Sequence, residues 1–153
     1  MSTRISIAIV GCGTVGGATA RHLLDSGTLI RERHGLDVEL AAVVDRRLDH
    51  AREIGLPEAI LTDDLDLVLA RDEIDLVVEL VGGIDVAFAI IERALGAGKH
   101  VVTANKALLA HRGTELFAAA HAAGRALAFE ASCGGGIPLL RAFYDGLAGN
   151  RVD

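Results

Sequence analysis

Gly11-Cys12-Gly13-Thr14-Val15-Gly16 has the form GxGxxG, and it stands between an apolar run, Ile5 to Val10, and a stretch that resumes with helical spacing, Ala18 to Leu24. In that setting each glycine has a physical task. Gly11 permits a tight turn, Gly13 leaves room for a pyrophosphate against the backbone, and Gly16 lets the helix approach the sheet. The N–H groups at the helix start then face the phosphates. Three glycines alone are a weak signal. Their place between strand and helix is what points to a bound dinucleotide, against the alternative of a glycine-rich turn with no ligand.

Asp45 ends a second strand candidate, Val38 to Asp45. A carboxylate there can accept hydrogen bonds from the adenosine ribose hydroxyls, which favours NAD. It comes later than the usual spacing of about 20 residues beyond the motif, and a polar connection, Arg31-Glu32-Arg33-His34-Gly35, accounts for the delay. Arg46 and Arg47 follow at once. Either could meet a 2'-phosphate, which favours NADP, or both could be a solvated helix start. The sequence leaves NAD and NADP open.

Val101-Val102-Thr103-Ala104-Asn105-Lys106 is an apolar approach ending in polar groups. It places Asn105 and Lys106 near the carboxyl end of a parallel strand, where such sheets bind ligands. Lysine at a helix start opposes the helix dipole, so Lys106 has either a task toward a carbonyl, carboxylate or nicotinamide, or a solvated position. Glu130 ends another apolar stretch before Ala131-Ser132-Cys133-Gly134-Gly135-Gly136. Its carboxylate could join loop carbonyls around a hard cation, or cap backbone N–H groups. No histidine is spaced to serve Cys133 as a nucleophile, Cys12 packs in the glycine turn, and the six histidines show no metal-ligand spacing.

The elements that carry these residues alternate. Strands are expected at Ile5 to Val10, Val38 to Asp45, Ile74 to Val81, His100 to Thr103 and Ala126 to Glu130. Helices are expected at Ala18 to Leu24, Arg47 to Ile54, Asp63 to Ala70, Val86 to Leu95 and Lys106 to Ala123, the last interrupted by Gly113. Ile137-Pro138 opens a final helix, since proline is accepted in a first turn. This alternation predicts an α/β fold: a Rossmann-like doubly wound parallel sheet in three layers, α/β/α, forming one domain over residues 1–153. With no Trp, one Tyr and four Phe among 51% hydrophobic residues, the core must be aliphatic, which suits helices on a parallel sheet.

A net charge of -6 excludes a general nucleic-acid binder, while still allowing phosphate at a helix terminus. The opening apolar run is too short to span a membrane. Two distant cysteines without a CxxC pair suit a reducing compartment, and the expected location is soluble and cytoplasmic.

Together these stretches resemble homoserine dehydrogenase. The likeness runs through Val10 to Gly16, Glu79-Leu80-Val81-Gly82-Gly83, Gly98 to Leu108 with its Thr-Ala-Asn-Lys core, and Phe129 to Pro138. The last two are far more specific than the glycine fingerprint. The resemblance implies interconversion of L-homoserine and L-aspartate-4-semialdehyde with NAD or NADP, on the route to threonine, methionine and isoleucine. It implies that Gly11, Gly13, Thr14, Val15 and Gly16 form the phosphate loop and that Arg46 contacts the adenosine phosphate end. Lys106 would lie near nicotinamide and substrate, binding cofactor and handling a proton. Glu130 and the main-chain carbonyls of Cys133, Gly135 and Ile137 would form a monovalent-cation site, usually for sodium. Family members commonly carry Val-Ala in place of Cys133-Gly134; ligation through the backbone survives that change, and the added glycine loosens the loop.

The resemblance also implies a later domain that supplies substrate-binding carboxylates, a further catalytic lysine and much of a homodimer contact. None of those residues is expected within this chain. Isolated, it should bind dinucleotide and reduce semialdehyde very poorly. The alternatives are the cofactor domain of another semialdehyde or amino-acid dehydrogenase, and a non-catalytic nucleotide-sensing or scaffold domain.

Overall fold

The computed structural model of the chain describes residues 3–146. Its strands are β1 (Thr3–Val10), β2 (Leu36–Val44), β3 (Leu61–Thr62), β4 (Leu76–Glu79), β5 (His100–Thr103) and β6 (Leu127–Ala128). They form one sheet in the order β3-β2-β1-β4-β5-β6, with every pairing parallel. The chain leaves the centre at β1 for one edge, then returns to β4 on the other side of β1. That reversal opens a crevice at the carboxyl ends of β1 and β4, where doubly wound sheets bind ligands. The expected Rossmann-like fold is present.

Among the described residues six α-helices connect and cover the strands: α1 (Thr14–His34), α2 (Asp49–Glu53), α3 (Leu65–Leu69), α4 (Asp85–Gly96), α5 (Lys106–Ala123) and α6 (Leu139–Gly146). Successive strand residues point to opposite faces, so β1 splits its apolar side chains between two cores. Ile7 and Ile9 join Ala20, Leu40, Ala51 and Leu56 beneath α1 and α2. Ala8 and Val10 join Val77, Phe88, Ile91 and Leu116 beneath α4 and α5. Two cores on opposite faces make the three layers. Among the described residues no helix is long and apolar enough to cross a membrane.

Several local expectations need correction. The segment Arg31 to Gly35 is not a loop: α1 starts at Thr14 and runs 21 residues to His34, with Gly35 in the left-handed conformation as its cap. Arg31, Arg33 and His34 lie in the last turn, where positive charge complements the helix dipole. Their polarity marks an exposed helix end, and the length of α1 is what delays Asp45. Strand β3 has two residues and no alternation from which to recognise it. The expected strand to Glu130 stops at Ala128, and Glu130 to Ser132 form a turn of 3-10 helix.

The break in α5 falls at Arg112 (φ -133°, ψ 17°), one residue before the glycine. There the Arg112 guanidinium lies 3.2 Å from the centroid of the Phe88 ring on α4 and pairs with Glu115 at 2.6 Å. A cation over an aromatic face is a tertiary attraction. It holds the kink against α4.

Candidate cofactor cleft

The crevice between β1 and β4 contains a cavity of about 660 Å³, whose lining includes Gly11, Gly13, Asp45, Arg46, Arg47 and Leu80. Leu80 also borders a second hollow of about 280 Å³, lined by Val15, Glu79, Gly82, Asn105 and Lys106. The structure thus gathers the phosphate-loop, Asp45–Arg47 and Lys106 predictions along one edge of the sheet.

The three glycines of the loop stand in different surroundings. Gly11 has φ +99°, and a Cβ on it would sit 2.7 Å from the Leu80 carbonyl carbon. A Cβ on Gly16 would sit 1.8 Å from the Gly11 oxygen. Both are demanded by the protein's own packing. Gly13 is not: its backbone is extended (φ -77°, ψ -160°), and a Cβ there would meet nothing within 4 Å. The space beside Gly13 therefore fits an outside group that must approach the backbone, as a pyrophosphate does. Gly13 is also the N-cap of α1, which has neither a side-chain cap nor an acidic residue in its first turn. Thr14 and Val15 are exposed. The positive end of a long helix is left open to an anion.

Asp45 has a role that the sequence did not disclose. One carboxylate oxygen accepts the Cys12 N–H at 2.6 Å, and the other accepts the Arg47 N–H at 3.0 Å. The side chain ties the glycine loop to the end of β2 while remaining part of the cavity wall. Burial pushes the Cys12 thiol pKa up, and the Asp45 charge pushes it further. Cys12 is a packed neutral thiol. Arg46 and Arg47 are exposed, and neither forms an ion pair among the described residues, whereas nearby Arg52 binds Glu58 at 2.7 Å.

At the other hollow, Lys106 is exposed and occupies the first position of α5, directly after the N-cap Asn105. The Asn105 side-chain oxygen accepts the Leu108 N–H at 3.0 Å, and its amide donates to the Gly83 carbonyl at 2.6 Å. Beneath them lies Glu79, fully buried. Neither Glu79 nor Thr103 stood out as a functional residue in the sequence. The available signal was an acidic side chain within Ile74 to Val81, a run otherwise apolar from Leu76 onward.

Glu130 is not among the lining residues of either hollow. Its two carboxylate oxygens accept the Leu140 and Arg141 N–H groups at 2.8 and 3.0 Å, capping α6. Gly134 and Gly135 turn the following loop with φ +75° and +63°, and the Ile137 carbonyl accepts the Leu139 N–H at 2.8 Å. Among the described residues no three His, Cys, Asp or Glu side chains are grouped to hold a metal. His100 is structural: its Nδ1 accepts the Ala126 N–H at 3.0 Å.

The family model for the NAD-binding domain of homoserine dehydrogenase matches residues 11–130. The chain belongs to the homoserine dehydrogenase family. It is 42% identical over 149 residues to a homoserine dehydrogenase of Pseudomonas aeruginosa, covering 97% of this chain and 34% of that protein. The homoserine dehydrogenase of Neisseria gonorrhoeae is 41% identical over 148 residues, with the same coverage of each. A crystal structure of a homoserine dehydrogenase from Thiobacillus denitrificans superimposes with a TM-score of 0.88 at 42% identity, covering 99% of this chain and 35% of that one. The chain spans about a third of the length of the curated relatives it matches. The match is to the NAD-binding domain of that family, and it favours a nicotinamide-cofactor domain over a sensing or scaffold domain.

Proposed function

We propose that the chain, as one domain over residues 1–153, binds NADP and NAD along the carboxyl edge of its sheet, with preference for NADP. Within the complete enzyme it would serve the interconversion of L-homoserine and L-aspartate-4-semialdehyde. The observation that carries this reading is Gly13, a glycine that the fold itself does not need. The pyrophosphate would rest against Gly11, Gly13 and the N–H groups of Thr14, Val15 and Gly16. Among the described residues Arg46 and Arg47 have no carboxylate partner, and they line the same cavity as Asp45, an arrangement that supports a 2'-phosphate through charge-assisted hydrogen bonds. Asp45 would accept from the ribose on lone pairs left after its two backbone bonds.

When bound, the dinucleotide supplies the hydride chemistry. Lys106, beside the second hollow, would hold its ammonium toward the substrate oxygen, donating a proton as an aldehyde becomes an alcohol and accepting it in reverse. A second domain would supply substrate-binding carboxylates and dimer contacts.

Glu130 and the carbonyls of Cys133, Gly135 and Ile137 would supply the oxygen donors of a sodium site. Each carboxylate oxygen has a lone pair beyond its helix-capping bond. Sodium should then raise the melting temperature more than an equal concentration of choline does, and equal effects would remove the cation from the proposal.

Calorimetric titration with NADP and NAD at fixed salt tests the cofactor reading. Saturable binding, tighter for NADP, is expected. Absence of binding to both would overturn the cofactor site, and tighter NAD binding would assign the ribose end to Asp45 alone.

A further inference from the structure

We propose that Glu79 is a positioning residue that locks together the two walls of the Lys106 hollow and so gives it the shape to hold a nicotinamide ring. The proposal rests on the reading of the cleft as a nicotinamide-dinucleotide site.

Glu79 ends β4, between β1 and β5, and is 0% exposed. Burying a carboxylate costs several kcal/mol unless hydrogen bonds or a cation compensate it. No Lys or Arg pairs with it among the described residues, and its compensation comes from two hydrogen bonds in two directions. One oxygen accepts the Val81 N–H at 2.7 Å. The other accepts the Thr103 hydroxyl at 2.6 Å. Val77 and Val78, just before it, are aliphatic and buried. An aliphatic residue at 79 would avoid the desolvation cost, so the carboxylate needs a reason beyond core packing.

That reason lies in what the two bonds join. Val81 opens the connection from β4 to α4, where Gly82 and Gly83 have φ +78° and +77°. Thr103 ends β5, and its hydroxyl oxygen accepts the Asn105 N–H at 3.1 Å. The Asn105 amide returns to Gly83, at 2.6 Å from its carbonyl oxygen. The hydrogen bonds therefore close a circuit: Glu79 to Val81, along the backbone to Gly83, across to Asn105, down to Thr103 and back to Glu79. Both walls of the hollow belong to this circuit, and Lys106 is the next residue along one of them. A carboxylate can accept from both walls at once. Glutamine has one acceptor oxygen and must turn its NH2 toward Val81 or Thr103. Leucine satisfies neither. No side chain of the glycine loop takes part in the circuit, which meets Gly11 only at the Leu80–Val81 backbone, so losing it should affect chiefly the nicotinamide end.

Wild type, Glu79→Gln and Glu79→Leu are titrated calorimetrically with NADP and with 2'-phospho-ADP-ribose, which lacks only the nicotinamide ring. Wild type should bind NADP several-fold more tightly than the fragment. Glu79→Leu should bind the fragment within about twofold of wild type and lose the advantage of NADP. Glu79→Gln should fall between them. Where the leucine variant does not fold, the glutamine variant decides: a reduced NADP-to-fragment ratio supports the proposal and an unchanged ratio overturns it. Equal weakening of both ligands also overturns it, because Glu79 would then support only the fold. Equal affinities in wild type remove nicotinamide from the hollow while leaving the phosphate loop intact. Failure of wild type to bind either ligand defeats the cofactor reading itself, and this proposal with it.

Discussion

At the glycine-loop end of the cleft the groups proposed to bind are backbone N–H groups and exposed side chains, whereas at the Lys106 end the exposed residues rest on a buried circuit of side chains. The first end acts through what is missing: no Cβ at Gly13 and no side-chain cap on α1. The second acts through what is held in place, Asn105 and Lys106 above Thr103 and Glu79. One end can therefore lose binding without losing its fold. At the other, shape and stability are coupled through the same hydrogen bonds.

Substitution of two glycines in one motif gives the largest expected contrast. Gly16→Ala places a methyl group 1.8 Å from the Gly11 oxygen and should destabilise the chain by about 3 kcal/mol or more, as overpacking against backbone does. Gly13→Ala should leave the denaturation midpoint unchanged or slightly raised, since its backbone suits alanine, while weakening dinucleotide binding about tenfold or more. Urea unfolding and calorimetry on both variants check this. Full affinity in Gly13→Ala would erase the distinction between ligand-facing and packing glycines.

At the other end, Thr103→Val removes a hydroxyl that satisfies both Glu79 and the Asn105 N–H. The loss should be about 2 kcal/mol, because buried polar groups are left without partners. Thr103→Ser should recover most of it. Equal unfolding midpoints for the valine variant and wild type would show that the circuit contributes nothing to the fold.

Replacing Arg46 and Arg47 together with alanine should reduce NADP affinity about tenfold and NAD affinity by less than about threefold. Stability should stay within about 0.5 kcal/mol, the usual range for exposed positions. A parallel loss for both cofactors would assign the arginines to general electrostatics.

The smallest effect concerns Cys12. Its thiol pKa is raised in the folded state by burial and by Asp45, so the unfolded chain ionises first as pH climbs. The associated stability is complete below the ordinary thiol range and is lost as pH rises through it toward the folded value. Wild type should accordingly lose more stability than Cys12→Ala between neutral and alkaline pH, measured as urea midpoints. Identical slopes would falsify the assignment.

Gly11 to Gly16, and the runs around β1, β2, β4 and β5, made the doubly wound fold and the turn at one end of the candidate cleft legible without coordinates. Glycine spacing and apolar runs between turns are local properties, and the backbone obeys them locally. The position of Asn105 and Lys106 was legible for the same reason, as polar residues where an apolar strand gives way to a helix. The two-residue strand β3 was not, because only pairing with β2 makes Leu61 and Thr62 a strand. The end of α1 was misplaced because its charged last turn has the composition of a loop. Which glycines of the loop the packing requires, that Asp45 fastens the loop, and that Glu79 belongs with Thr103 were all decided by tertiary structure. Each depends on distances between segments far apart in the chain, and a hydrogen bond or a steric clash exists only once the fold has brought those segments together.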